Sequence, residues 1–361
     1  MRIVVTGATG NVGTALVRRL LADPAVSAVT GVVRRPPDGE LPGLDWLAVD
    51  LAREDAGAAL IDAFRGADAV VHLAWAISPS HDRTYMRAVN VDGSRRVFAA
   101  AVAAGVPALI HASSVGAYST GPKDSRVAES WPTDGIPSST YSQHKAETER
   151  ALDALELAQP SIRVVRMRPG LIFQPQAATA IARYFLGPLV PRQLLRRQLL
   201  PVVPALDRIA LQVLHSEDAA AAYHRAITDD VRGAFNIAAE PVLDPPTLGQ
   251  VLRARPVPLP AAPVRALVDL SWRLHLQPTE AGWFDMGRGV PLMDTTRART
   301  ELGWSPAYSS GEALLGLLDG FARRAAGPTP VLRDGPSLGQ LVTDRFSKIR
   351  QKAGQPPKRD G

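Results

Sequence analysis

Thr6-Gly7-Ala8-Thr9-Gly10-Asn11-Val12-Gly13 follows the short apolar run Ile3–Val5 and opens a helical pattern. Glycine serves this junction in three separate ways. Gly7 permits a tight turn, Gly10 lets the backbone approach a pyrophosphate, and Gly13 lets the helix pack closely on the strand. The helix N-terminus then offers free N–H groups and a favourable dipole to an anion. In the helix itself Val12, Leu16 and Leu20 recur every four positions, with Val17 and Leu21 alongside. That is the spacing of one apolar face. A glycine motif alone is weak, but the strand–turn–helix context gives it weight.

Around this junction the first half of the chain keeps one rhythm. Ala28–Val33, Trp46–Val49, Ala69–Leu73, Ala108–Ala112 and Arg163–Met167 read as buried strands bounded by turn residues, with amphipathic helical stretches between them. Met86–Ala104 and Tyr141–Leu157 are the longest of these helices. Such alternation predicts an α/β fold, a doubly wound parallel sheet of Rossmann type with helices on both faces. After Phe173 the rhythm changes, because Pro175, Pro188, Pro191, Pro201 and Pro204 interrupt it and prolines cluster again from Pro241 to Pro263. Short helical patterns return at Ser216–Ile227, Pro263–His275 and Gly311–Arg324. The expected organisation is therefore a dinucleotide-binding domain over residues 1–173, rejoined by the chain around 210–240. A smaller, mixed, loop-rich substrate lobe follows over 174–326, and then a basic tail over 327–361.

Composition bounds the chemistry. A chain of 361 residues with 46% apolar and 21% charged residues is neither disordered nor a coiled coil. The absence of cysteine excludes disulfides, thiolate metal sites and cysteine nucleophiles. No apolar stretch approaches the roughly 20 residues that span a bilayer. The chain opens on a strand without a charged leader and apolar segment, so a soluble, cytoplasmic protein is expected. Net charge is +6. The tail from Gly327 holds seven Lys/Arg against three Asp/Glu, with only Phe346 interleaved, which reads as a solvated basic tail rather than a nucleic-acid site. Within it, Ser337–Ala353 places Leu338, Leu341, Val342, Phe346 and Ile349 on roughly one helical face.

The second strand ends Val32-Val33-Arg34-Arg35 with no acid at its tip. An acid there normally meets the adenosine ribose 2′-OH, and an arginine a 2′-phosphate. Arg34 and Arg35 therefore favour NADP over NAD, unless Asp38 swings toward the ribose. Further on, Tyr141 and Lys145 stand four residues apart on one helix face. A phenol of ordinary pKa about 10 is a poor base at neutral pH, and a neighbouring ammonium would lower it. Tyr141 could then exchange a hydroxyl proton as hydride moves to or from carbon.

The wide Gly-x-x-Gly-x-x-Gly spacing behind Thr6, taken with Tyr141-Ser142-Gln143-His144-Lys145 and Ser113-Ser114, resembles the extended short-chain dehydrogenase/reductase superfamily, of the epimerase/dehydratase type. The resemblance implies a catalytic set of Ser114, Tyr141 and Lys145, with Ser114 hydrogen-bonding the substrate oxygen and Lys145 also holding the nicotinamide ribose. It implies cofactor contacts from Gly7, Thr9, Gly10, Asn11, Val12 and Gly13, and from Asp50 and Leu51 near the adenine. Leu73, Ala74, Trp75, Asn90, Ser113, Pro169 and Gly170 complete the implied set, with no metal. Trp75 departs from the small-residue run usual at that strand end. His215-Ser216-Glu217-Asp218-Ala219, Asp294–Ala298 and Leu302–Pro306 resemble later family signatures, so the likeness runs to about residue 325.

What the resemblance implies is an NAD(P)-dependent oxidoreductase acting at a secondary alcohol or carbonyl, or else a nucleotide-sugar epimerase or dehydratase. A non-catalytic NADP-binding regulator on the same fold is a third class, disfavoured because both Tyr141 and Lys145 are present. A small-molecule substrate is expected. Leu199, Leu200, Val202, Val203, Leu206 and Ile209 would make its pocket rim apolar, while Arg183, Arg192, Arg196, Arg197 and Arg208 keep a diphosphate possible. The resemblance also implies a homodimer, with the two long helices packed against their counterparts across a two-fold axis.

Overall fold

The computed structural model describes residues 1–38, 42–78, 80–186, 195 and 197–333. Seven parallel strands form one sheet: β1 (Arg2–Thr6), β2 (Ala28–Val33), β3 (Leu44–Ala48), β4 (Ala69–His72), β5 (Ala108–Ala112), β6 (Arg163–Pro169) and β7 (Gly233–Ile237). Their order across the sheet is β7-β6-β5-β4-β1-β2-β3. The order reverses beside β1, so β1 and β4 flank the switch point where open α/β sheets bind ligands. The expected Rossmann-type architecture is what the chain forms.

Successive residues of each strand feed opposite faces. Ile3 and Val5 of β1, Val71 of β4 and Ile110 of β5 pack into one core with Leu16, Leu20 and Tyr223. Val4, Val70 and Leu109 enter the other with Leu60, Phe64, Phe98 and Leu152. The first core lies under helix α1 (Asn11–Leu21) and the second under α2 (Ala56–Phe64), α3 (Gly93–Ala103) and α4 (Thr140–Ala158). Truncating such a fully buried leucine to alanine typically costs about 2–5 kcal/mol.

One helix differs from expectation. The stretch read as Met86–Ala104 is broken: Arg83–Arg87 is α-helical, Ala88–Asp92 is a π turn, and α3 begins at Gly93. The Gly93 amide reaches back five residues to the Ala88 carbonyl. A side chain at Gly93 would press on Leu51, with a Cβ only 3.0 Å from that of Leu51.

The lobe after Phe173 is mixed, as its prolines suggested. Val202–Leu206 pairs with Arg255–Leu259. Helices Ala178–Phe185, Pro245–Leu252 and Ser310–Arg323 close a small core of Ala178, Ala182, Val203, Leu252, Leu317 and Phe321. Between them the chain returns to the main sheet, where helix α5 (Ser216–Thr228) leads into β7 beside β6. The later family signatures lock this return. Asp218 accepts from the amides of Ala307 and Tyr308, and Trp304 Nε1 donates to the Asp218 carbonyl. Residues 327–333, expected within a solvated tail, instead pack on the body, with Leu332 buried against Ala177 and Ala180. The Ser337–Ala353 helix lies outside the described residues.

Candidate active site

A cavity of about 460 Å³ opens above the C-terminal ends of β1 to β4. Gly7, Thr9 and Gly10 line its floor, Arg34, Arg35, Asp50 and Leu51 one end, and Leu73, Ala74 and Trp75 the other side. The three glycines differ in how tightly they are constrained. Gly7 has φ +72°, and a Cβ there would meet the Ala74 amide nitrogen at 2.6 Å. At Gly13 a Cβ would lie 2.3 Å from the Gly7 carbonyl oxygen, within the helix–turn contact. At Gly10 it would meet only that same oxygen, at 3.3 Å. No side chain caps the first turn of α1. The turn thus presents bare backbone to the cavity, and its shape fits a pyrophosphate.

Several sequence-predicted residues serve the frame of this cavity instead of lining it. Asn11 donates to the Ile172 carbonyl and accepts from Gln174 and Ser216, tying the lobe to the turn. Val12 packs on the core beside α1. Asn90, fully buried in the π turn, clamps the Ala76 amide at 2.7 Å and the Ala76 carbonyl at 2.8 Å, fixing the loop that carries Trp75. Pro169 ends β6, and Gly170 lies so close to the Gln212 carbonyl that a Cβ would approach it to 2.3 Å. Ser113 points away from the cleft and donates to Glu149 at 2.5 Å. Asp38 pairs with Arg333 at 3.2 Å, and the Arg34 guanidinium donates to the Tyr85 hydroxyl.

Beyond Trp75 stand Ser114, Tyr141 and Lys145. The Ser114 hydroxyl is near enough to the Tyr141 phenol to lower its pKa, and it accepts from the Gly116 amide at 3.0 Å. Ser139 caps α4 through the Ser142 amide, and Ser142 in turn donates to the Gly116 carbonyl. These bonds hold Tyr141 against the Ser114 loop. Gly116 is a residue the sequence reading missed. A Cβ there would fall 2.9 Å from both Tyr141 Cε1 and Met286 Sδ, so only glycine lets the phenol settle.

Lys145 is buried and donates to the Ala112 carbonyl at 2.6 Å. Its ammonium lies 3.3 Å from the centroid of the Trp75 ring and 5.8 Å from that of Tyr141. The electrostatics differ from expectation. Burial pushes the Tyr141 phenol up to about 12, with the Ser114 hydroxyl pulling the other way. Desolvation draws the Lys145 ammonium well below its ordinary value, against the opposing charge of Glu149. The indole lies on the ammonium, and low polarity around the phenol outweighs the lysine's field.

The apolar surroundings of Tyr141 also come from an unexpected source. Trp283 lies 4.6 Å from Tyr141 and Phe185 4.9 Å from Trp283, between ring centroids, and Trp75 meets Tyr141 edge-on at 5.9 Å. Ile136, Met286 and Val290 pack behind them. The residues expected at the rim do other work: Val203 and Leu200 belong to the lobe core, while Leu199 and Val202 are exposed. Of the arginines, Arg208 donates to the Gly121 carbonyl, Arg183 lines the cavity above the glycine turn, and Arg197 lines a separate surface hollow. Arg192 and Arg196 lie outside the described residues.

Beneath this site a buried ion network braces the sheet. Glu149 accepts from Arg168 through both oxygens, at 2.8 and 2.9 Å, and from Arg166 at 2.9 Å. Burial alone would raise its carboxyl, but these arginines and Ser113 hold it down at about 2. Arg168 also donates to the Tyr118 hydroxyl, which donates to Asn236 on β7.

A glycine turn at the switch point of a parallel sheet, with the tyrosine helix packed against Trp75 of the cavity wall, is the arrangement of a Rossmann-type protein of the extended short-chain dehydrogenase/reductase class. The chain belongs to the NAD dependent epimerase/dehydratase family, whose profile it matches over residues 3–238. An uncharacterized protein of Mycobacterium tuberculosis is 30% identical over 348 residues, which cover 91% of this chain and 85% of that one. Among solved structures, UDP-glucose 4-epimerase of Thermus thermophilus in complex with NAD superposes with a TM-score of 0.64 at 21% identity, covering 89% of this chain and 99% of that one. The dTDP-glucose 4,6-dehydratase of Streptomyces venezuelae, with NAD bound, gives 0.67 at 20% identity and covers 92% and 100%. Among the described residues no helix is long and apolar enough to cross a membrane, and no group of three His, Asp or Glu could hold a metal.

Proposed function

We propose that the protein is an NAD(P)-dependent oxidoreductase that acts at a secondary alcohol or carbonyl on an otherwise apolar molecule. The observation that carries this reading is Tyr141 set between Trp75 and Trp283, with Phe185 behind Trp283 and the Ser114 hydroxyl near enough to lower the phenol, next to the cavity wall that Trp75 shares with the glycine turn. The nicotinamide, when bound, would supply or accept the hydride. In the reducing direction Ser114 holds the substrate oxygen and Tyr141 donates its phenolic proton to it as hydride reaches the carbon. Lys145 stabilises the resulting phenolate and binds the ribose, for which the Trp75 indole has to turn off the ammonium. The aromatic box excludes water and favours flat, apolar substrate bodies.

For the cofactor, the bare-backbone turn supports a dinucleotide, and Arg34 with Arg35 supports NADP over NAD through forked contacts to a 2′-phosphate. Asp38, the acid that could otherwise swing toward a ribose, pairs with Arg333. The solved relatives named above hold NAD, which makes this preference particular to the two arginines. For assembly, α3 and α4 remain the proposed two-fold contact of a homodimer, since Leu157 on α4 is 88% exposed. A monomeric mass by light scattering at micromolar protein overturns it.

The test is a panel of small ketones, steroid-like and polyketide-like carbonyls and sugar nucleotides, with NADPH oxidation and product epimers both followed. NADPH oxidation on an apolar carbonyl supports the proposal. Epimerised or dehydrated nucleotide sugar without net NADPH loss transfers the case to the second reading, an epimerase or dehydratase, which the likeness to the two solved enzymes favours.

A further inference from the structure

The cofactor cavity has a wall that the glycine turn does not supply. Arg183 and Tyr184, on the lobe helix Ala178–Phe185, line it together with Pro330 and Val331 from the C-terminal segment. This segment is tied down at three points. Thr329 Oγ1 donates to the carbonyl of Thr9, inside the glycine turn, at 2.7 Å across 320 residues of sequence. The Arg183 guanidinium donates to the Val331 carbonyl at 2.8 Å and lies on the Tyr184 ring, its carbon 5.2 Å from the centroid. Leu332 is 1% exposed, plugged between Ala177 and Ala180, and its carbonyl accepts from the Gly327 amide at 2.9 Å. The surface pair Arg333–Asp38 adds little energy of its own, but it places the end of the segment beside the second-strand tip.

From this geometry we infer that Arg183 and residues 329–332 form a clasp over the cofactor's pyrophosphate, with Arg183 as its charged contact and Thr329 as its latch. The inference rests on the dinucleotide reading above. An anion on the glycine turn meets partial positive charge from backbone amides on one side only. Arg183 is the cation on the opposite wall, steered by one hydrogen bond to a carbonyl and keeping four further N–H donors for phosphate oxygens. The Thr329 hydroxyl fixes the clasp to the very turn that carries the phosphates. Opening the clasp and releasing the cofactor therefore break the same contacts, so the clasp acts chiefly on departure.

The test uses the full chain with Arg183→Gln, Arg183→Lys and Thr329→Ala. Titration of NADPH, NADH, ADP-ribose and adenosine 2′-phosphate is paired with stopped-flow dissociation, and thermal melts confirm folding. Arg183→Gln should weaken NADPH and ADP-ribose by about tenfold, with adenosine 2′-phosphate, which lacks a pyrophosphate, changed less than about twofold. Arg183→Lys should restore part of that loss. Thr329→Ala should speed NADPH dissociation by roughly three- to tenfold with little change in association. Folded Arg183→Gln that binds ADP-ribose like wild type overturns the clasp and leaves the dinucleotide reading intact. Equal weakening of adenosine 2′-phosphate also overturns it, because the effect is then general to the cavity. Wild-type protein that binds none of the dinucleotides overturns both.

Discussion

The cavity at the glycine turn and the surroundings of Tyr141, which adjoin at Trp75, are made of different material. At the glycine turn the protein shows backbone: Gly7 and Gly10, an uncapped helix start and a rim of arginines, with side chains kept back so that a charged ligand can come close. Around Tyr141 it shows side chains: Trp75, Trp283 and Met286, with Phe185 behind Trp283, crowd a phenol that burial has pushed up to about 12. The first end offers directed hydrogen bonds and charge, the second shape and low polarity. The glycine turn itself is local in sequence. The second is assembled from four distant stretches.

The contrast is most sharply broken at Tyr141. Tyr141→Phe keeps the ring against Trp283 and removes only the hydroxyl, so turnover should fall by about 10² to 10⁴. Dinucleotide affinity, set at the other end, should stay within about twofold by titration. A phenol near 12 is protonated at neutral pH, so the reducing direction should be level between about pH 6 and 9 and the oxidising direction should rise with pH. A reductive rate that halves between about pH 6 and 8 would assign the proton to another group.

Next in size is the network under the site. Glu149→Gln leaves Arg168 buried beside a neutral amide and should cost about 3–5 kcal/mol in a denaturant titration. The carboxyl is held near 2 in the folded chain, against an ordinary 4.5. Its stabilising contribution is therefore full above about 4.5 and is lost as pH falls from there through about 2. Glu149→Gln should flatten that part of the acid-unfolding curve. An unchanged acid limb would show that other carboxylates govern it.

The glycine turn separates fold from binding within one motif. Gly13→Ala forces a methyl against the Gly7 carbonyl and should destabilise by about 1–3 kcal/mol. Gly10→Ala meets much less, so stability should change by less than about 0.5 kcal/mol. Its methyl should nonetheless weaken dinucleotide binding by about tenfold. If both variants lose stability alike, the turn is purely structural and the polar end of the comparison fails. The smallest expected effect is cofactor choice. NADPH should bind about tenfold tighter than NADH, a difference of about 1.4 kcal/mol, and Arg34→Ala with Arg35→Ala should erase it. Equal affinities in the wild type would remove the NADP preference.

Much of this could be read before any coordinates. The parallel strands are buried on both faces and so read as plain apolar runs, and Gly7, Gly10 and Gly13 sit within one turn. Ser113 is instructive, because strand alternation should have sent it away from the side that Ser114 serves, and it does bond Glu149. What stayed hidden depends on tertiary placement. An apolar residue does not declare which surface it faces, so Val203 and Leu200 looked like a pocket rim and prove to be lobe core, while Trp283 gave no local sign of meeting Tyr141, nor Phe185 of meeting Trp283. Likewise nothing in Thr329–Leu332, short and irregular, foretold a bond to Thr9. The π turn was invisible for a related reason, since the close approach of Gly93 to Leu51 beside it is a tertiary contact that the run of sequence does not show.

Glu280, at the start of the lobe helix Ala281–Gly289, is nearly buried and accepts from the Thr140 amide at 3.1 Å, the Thr140 hydroxyl at 3.3 Å and Arg83 at 3.3 Å. One carboxylate thus joins the head of the tyrosine helix, the run leading into the π turn, and the helix that supplies Trp283 and Met286. Mechanically these three become a single jaw. Any rocking of the lobe that parted Trp283 from Tyr141 would first unpin the leading amide of the tyrosine helix, a contact of the kind worth about 0.5–2 kcal/mol. Glu280 therefore works as a shared pin, and the aromatic wall beside Tyr141 and the start of the tyrosine helix hold their places together.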